Sequence, residues 1–197
     1  MSDTYIYKIG EAFYINLTNQ CTNDCVFCVR NSQDGVGGYH LVLEKEPEAE
    51  DVIKEFEQID HVEKAVFCGF GEPTMRYKVM IKVAKYLKSR GAHIRLNTNG
   101  QGSACAGHDI VPELAGLIDV VSISLNASSA KEYQRLCRSE FGQEAYAHML
   151  SFAKSCLSHG IDTVMSVVDI IGEEEVEKCR RIAEQTGARL RVRHYIP

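Results

Sequence analysis

The sequence predicts an α/β fold, a parallel sheet with flanking helices, built as one domain over residues 1–197. Two observations predict it. Short stretches rich in β-branched and aliphatic residues alternate with longer stretches of helical periodicity. Strands separated in this way by helices imply right-handed βαβ units, either a doubly wound sheet or part of a β/α barrel.

The first strand is "AFYINLT" (12–18), which runs into a loop rich in cysteine. A helix over 48–58 begins just after Pro47, and "KAVFCG" (64–69) is the second strand. Over 74–90, Val79, Val83, Ala84 and Leu87 form one helical face, and Gly91 stands where a C-terminal cap belongs. "HIRLNT" (93–98) and "DVVSISL" (119–125) are the next two strands. Tyr146, Met149, Leu150, Ala153 and Leu157 line a helix over 143–159, stopped by Gly160. "TVMSVVD" (163–169) is followed by a helix with Val176, Cys179, Ile182, Ala183 and Thr186 on one face, stopped by Gly187. "RLRVRHY" (189–195) is the last strand.

Composition narrows the function. With 45% apolar and 25% charged residues the chain is ordinary globular protein. A formal charge of −5 argues against nucleic acid as a bulk electrostatic partner. There is no charged-then-apolar leader and no apolar run approaching about 18 residues, so neither secretion nor membrane spanning is expected. The expected location is the cytoplasm, where the eight cysteines read as metal-binding or redox groups rather than disulfides.

In parallel α/β folds the site lies beyond the carboxyl ends of the strands. Unusual residues fall there: the cysteine loop, "GFGEPT" (69–74), "NTNG" (97–100) and "SLNA" (124–127). Cys21, Cys25 and Cys28 bring three thiols into one loop. A structural zinc site needs four ligands, and the other cysteines supply no second CxxC, so only a distant His40 or His61 rescues zinc. A [4Fe–4S] cluster also takes four thiolates, and with three, one iron stays open to a substrate or cofactor.

The spacing of Cys21, Cys25, Phe27 and Cys28, C-x3-C-x-aromatic-C, resembles the signature of the radical S-adenosylmethionine (SAM) superfamily. The series "CTNDCVFCVR", "FCGFGEPT", "RLNTNG" and "SISLNA" is most similar to the small TatD-associated radical SAM proteins. The resemblance covers nearly the whole chain and implies a partial (β/α)6 barrel. It implies an oxygen-sensitive [4Fe–4S] cluster on Cys21, Cys25 and Cys28, with SAM chelating the open iron and Phe27 near its adenine. Reduced by flavodoxin or ferredoxin, the cluster of such an enzyme cleaves SAM to a 5′-deoxyadenosyl radical that abstracts hydrogen from a substrate.

By the same resemblance, Gly69, Gly71 and Glu72 line the SAM amino group. Phe70 stands where the commoner family form has Gly. Asn97, Asn99, Ser124 and Asn126 are implied to contact the ribose and carboxylate, and Val168 and Ile170 to lie beside adenine. Gly69 and Gly71 let the backbone approach a ligand closely. Each has an ordinary alternative: "NG" makes turns, Asn126 caps the following helix, and "GFGEPT" is a helix-entry turn with a solvated glutamate. The TatD association implies a TatD-family functional partner.

Cys137, Cys156 and Cys179 fall on apolar helical faces and read as core. Cys105 lies in a loop, "GQGSACAGHD". Cys68 is either a small buried residue or a thiol used in the reaction. The glycine-bearing stretch 30–47 is either a mobile lid, presenting Tyr39 or His40 to substrate, or a disordered loop. Arg193 and Tyr195 face either the interior or solvent, and the basic set Arg180, Arg181, Arg189, Arg191 and Arg193 reads as alternating solvated faces rather than a nucleic-acid patch. The substrate class stays open between a small molecule or nucleobase and a partner protein receiving a glycyl radical. The competing class is a non-enzymatic Fe–S electron carrier or zinc protein, which has no use for the "GFGEPT" surface.

Overall fold

The computed structural model describes residues 3–31 and 35–195. Its main sheet has seven strands: β1 (Ile6–Ile9), β2 (Ala12–Ile15), β5 (Lys64–Phe67), β6 (His93–Thr98), β7 (Val120–Ser124), β8 (Asp162–Val168) and β9 (Arg189–Arg193), adjacent in that order. From β2 to β9 every pairing is parallel, as βαβ crossovers require. The six expected strands are therefore present and in sequential order. The addition is β1, paired antiparallel to β2 through a tight turn at Gly10, whose φ is +59°. β1 escapes sequence reading because four residues, "IYKI", are too few to establish a period.

The helices follow the expected apolar faces. α1 (Ala49–Glu57) opens with a reciprocal capping box between Glu48 and Asp51. α2 (Tyr77–Ser89) is entered through a 3-10 turn, Pro73–Arg76. Two short helices, α3 (Gly102–Ala106) and α4 (Val111–Leu114), lie between β6 and β7. The stretch expected as a loop around Cys105 is therefore helical through 106, and Gly107 at φ +74° ends it. α5 (Ala130–Cys137) is capped by Ser129, whose side chain accepts from the Glu132 amide, so the alternative reading of Asn126 as a helix cap does not hold. Asn126 instead has φ +56°. α6 (Glu144–Ser158) and α7 (Glu173–Thr186) complete the set.

The core lies between the helices and one face of the sheet. Phe67, Ile94, Leu96, Val121, Ile123, Met165 and Val167 are buried there against Met80, Leu87, Met149, Phe152 and Cys179. The opposite face carries the alternate residues of the same strands, and one cavity of about 410 Å³ is lined from β2 through β9. A sheet whose first and last parallel strands share a cavity is curled, which is the part of the barrel expectation that positions a site. β3 (Gly35–Val36) and β4 (Tyr39–His40) form a separate hairpin. Thus 35–40, part of the stretch read as lid or disorder, is ordered, while 32–34 lie outside the described residues.

Candidate active site

The cysteine loop leaves the carboxyl end of β2 and is tied down on both sides. Toward α5, the Asp24 and Val26 amides donate to the Cys137 and Leu136 carbonyls at 2.9 Å each. Toward the loop after β6, Thr22 donates to Gln101 at 2.8 Å and accepts from the Asn99 amide at 2.9 Å. Gln101, fully buried, donates to Asn23 and to the Tyr133 hydroxyl and accepts from Ser139. Sequence reading passed over Gln101, although a glutamine directly after a strand-end "NTNG" was the available signal.

Glu72 is the brace of the neighbouring strand ends. Its carboxylate accepts from the Thr74 amide at 3.1 Å and hydroxyl at 2.6 Å, the Thr98 hydroxyl at 2.7 Å and the Asn99 amide at 2.7 Å. Burial pushes its carboxyl upward against the pull of these four donors. The carboxylate expected beside a ligand is braced within the chain, three bonds on Oε1 and one on Oε2. The same holds for Asn99, whose side-chain amide donates to Thr22 and lies 3.8 Å from the Cys21 sulfur.

Gly69 and Gly71 permit close approach, but the neighbour they approach is this chain's own loop. A Cβ at Gly69 would lie 2.1 Å from Asn16 Oδ1, and one at Gly71 only 2.3 Å from the Thr18 carbonyl oxygen. Phe70 between them is buried against Tyr7 and Leu41. Its replacement of glycine is thus accommodated by the hydrophobic cluster beneath the β3–β4 hairpin.

The remaining candidates divide. Asn97 and Ser124 line the cavity, and Asn97 accepts from Arg95 Nε at 2.9 Å. Asn126 is buried, with its amide 3.5 Å from the Cys137 sulfur and its Oδ1 without a hydrogen-bond partner. Phe27 packs against the core, Val168 is buried and Ile170 is exposed. Burial raises the Cys68 thiol above the ordinary range, against the opposing pull of the nearby Asn97 side chain. Arg193 and Arg191 line the cavity, and both are exposed at its edge, as the solvated-face reading of Arg191 expects. Tyr195 is exposed with its amide bound to Asp169. Arg189 is an exposed partner of Asp162, as expected. Tyr39 and His40 are exposed, and Tyr39 packs 5.6 Å from the Tyr7 ring. Cys137, Cys156 and Cys179 are buried as expected, and Cys105 is exposed.

The three loop cysteines are free and partly buried. Burial first, and then Glu72, push Cys21 up to about 12. Cys25 is raised by its hydrogen bond to Cys137 and by burial. Arg30 lies against Cys28 and donates to the Asn19 carbonyl at 2.9 Å. Among the described residues no three His, Cys, Asp or Glu side chains are gathered into a ready ligand set, and neither His40 nor His61 joins the cysteines. The donor chemistry fits an iron–sulfur centre: three soft thiols on one loop, with a guanidinium to offset thiolate charge. The orphaned Asn126 acceptor two residues beyond Ser124 fits a ligand rich in N–H and O–H groups.

The family profile described as "Radical SAM superfamily" matches residues 15–185. The chain belongs to the radical SAM superfamily. This superfamily uses a [4Fe–4S] cluster and SAM. A relative described as 7-carboxy-7-deazaguanine synthase, from Methanocaldococcus jannaschii, is 26% identical over 188 residues, covering 89% of this chain and 70% of its own length. Among solved structures, Streptococcus suis SuiB bound to precursor peptide SuiA superimposes with a TM-score of 0.70 at 18% identity. That match covers 97% of this chain but 40% of SuiB. Native anSMEcpe with bound AdoMet gives a TM-score of 0.67 at 15% identity, over 93% of this chain and 50% of that one. This chain thus spans half or less of those two proteins, and at such identity they show the shared fold. Among the described residues no helix is long and apolar enough to cross a membrane.

Proposed function

We propose that this radical SAM chain binds a [4Fe–4S] cluster through Cys21, Cys25 and Cys28, and SAM beside it, and acts on a small molecule. When bound, the pair supplies reductive SAM cleavage and a hydrogen-abstracting radical. The chain's own residues do the positioning. Thr22, Asn23, Gln101 and Tyr133 hold the cysteine loop in one place, and Glu72 locks the two adjacent strand ends to each other. Asn126 Oδ1, Ser124 and Asn97 are the polar groups left to meet SAM, whereas Glu72 and Asn99 support from behind. Phe27, Gly69, Gly71 and Val168 form the surrounding wall, with Ile170 at its exposed edge. Enclosure by the curled sheet keeps water from the reacting carbon.

The observation that carries this reading is the meeting of the thiol loop with three polar strand ends on one side of the sheet, within the span matched by the family. An electron carrier gains nothing from the last three. Within the superfamily we place the chain with the small TatD-associated members, acting in the cytoplasm with flavodoxin or ferredoxin as reductant and a TatD-family protein as functional partner. A small substrate is favoured over a glycyl-radical protein because the chain aligns along 89% of its length with a deazaguanine synthase. Anaerobic reconstitution with iron and sulfide should load about four irons per chain. Cys25→Ala should load far fewer. Tight stoichiometric zinc in anaerobically purified protein would sink the cluster reading.

A further inference from the structure

The cavity on the concave face is cationic, although the chain as a whole is acidic. Arg95 reaches it from β6, and Arg191 and Arg193 from β9, with the hydroxyls of Ser122, Ser124 and Ser166 between them. The strand register puts Ser124 beside Ser166, and Ser166 beside Arg191. No residue lining the cavity is acidic. Among the described residues none of the three guanidiniums has a carboxylate partner, in contrast with Arg189 on the same strand, which pairs with Asp162 at 2.6 Å. Arg95 uses Nε on Asn97, and that hydrogen bond aims the rest of its fork.

Such an arrangement repels itself. Burial, and then Arg191, pull Arg95 below the ordinary arginine range, and burial with Arg191 does the same to Arg193. Guanidinium forks and hydroxyls are the groups that bind carboxylate and phosphate oxygens, and with Arg191 and Arg193 exposed the cavity is open to an entering anion on its β9 side. Asn97 and Ser124, at the carboxyl ends of their strands, line the same cavity, so an anion held by the arginines lies below the proposed SAM site.

We propose that Arg95, Arg191 and Arg193 form a binding site for an anionic group of the substrate, a carboxylate or a phosphate. This rests on the radical SAM reading only for the identification of that ligand as substrate. The anion neutralises the cluster of like charges, and the hydroxyls of Ser122 and Ser166 complete its hydrogen bonds. Its place below the strand ends fixes which part of the substrate points up toward the cysteine loop.

The test uses reconstituted full-length protein, with thermal midpoints read in inorganic phosphate, in malonate and in sodium chloride of equal ionic strength. SAM affinity is measured by calorimetry on the same preparations. Phosphate, malonate or both should stabilise wild type beyond sodium chloride, and the better of the two names the group. In Arg191→Gln/Arg193→Gln that anion should bind at least about tenfold more weakly, the equivalent of one charge-assisted hydrogen bond. SAM affinity should be unchanged. Without anion the double variant should melt about 2–4 °C higher, because like charges have been removed. A variant that folds less well would instead melt lower, so lost binding cannot be mistaken for unfolding. No stabilisation of wild type beyond sodium chloride overturns the proposal, as does unaltered anion binding in the variant. A tenfold loss of SAM affinity in the variant also overturns it, because the arginines would then serve SAM. Failure of the radical SAM reading appears separately, as absent iron loading.

Discussion

Replacing Glu72 tests how the strand ends are held. Its carboxylate takes four hydrogen bonds, two from backbone amides at 3.1 and 2.7 Å and two from threonine hydroxyls at 2.6 and 2.7 Å. In Glu72→Ala the hydroxyls can turn to other acceptors, but the Thr74 and Asn99 amides cannot. Each buried amide left alone costs about 1–3 kcal/mol, so the loss should be about 3–5 kcal/mol. For a chain of this size that lowers the thermal midpoint by roughly 10 °C. Glu72→Gln is different, because its oxygen can retain the three bonds now made by Oε1, and only the Asn99 amide faces a new donor. It also removes the cost of burying a charge, so its penalty should be about 1 kcal/mol. Urea denaturation followed by circular dichroism measures both. An alanine cost under about 1 kcal/mol, or a glutamine cost equal to alanine's, would refute the brace.

Gly71→Ala should be more damaging than its size suggests. Its Cβ would meet the Thr18 and Gln20 carbonyl oxygens at 2.3 and 2.5 Å, and backbone cannot swing aside as a side chain can. A loss above about 3 kcal/mol is expected by urea denaturation, with the cysteine loop displaced. At the opposite end of the strands, burial alone would raise Asp119, but the Ile94 amide at 2.7 Å and the Lys88 ammonium at 2.8 Å hold it below the ordinary aspartate range. A depressed folded value stabilises above the unfolded value and is lost as pH falls through the folded one. Wild type should therefore exceed Asp119→Ala by about 1 kcal/mol at neutral pH. The gap should begin to narrow below about pH 4 and shrink further toward pH 2, as urea melts between pH 7 and 2 would record.

The parallel strands and the four long helices were legible because each has a clear period and a glycine or proline at its boundary. β1 was too short, and α3 was hidden by "GQGSACAGHD", whose glycines read as loop although Gly107 serves only to stop a helix. At the site, the cysteines and strand-end motifs were visible as positions, but their division of labour was not. Glu72 and Asn99 look like ligand contacts in sequence, and the fold also gives them internal partners, Thr98 on β6 for Glu72 and Thr22 on the cysteine loop for Asn99. Arg191 is solvent-exposed as the alternation with Leu190 and Val192 suggests, but alternation does not say that the same face borders a cavity. The fuller signal was the same alternation in "HIRLNT" and "VVSISL". Parallel strands covered on both faces are normally apolar throughout, so repeated inward polar residues mark a ligand chamber.

The central claim is that this chain activates SAM at Cys21, Cys25 and Cys28. The direct test is chromatographic detection of 5′-deoxyadenosine after anaerobic incubation of the reconstituted protein with SAM and a strong reductant. Wild type should release 5′-deoxyadenosine together with methionine, and the Cys21→Ala/Cys25→Ala/Cys28→Ala variant should release none. Wild type that carries its iron and still leaves SAM intact would contradict the account.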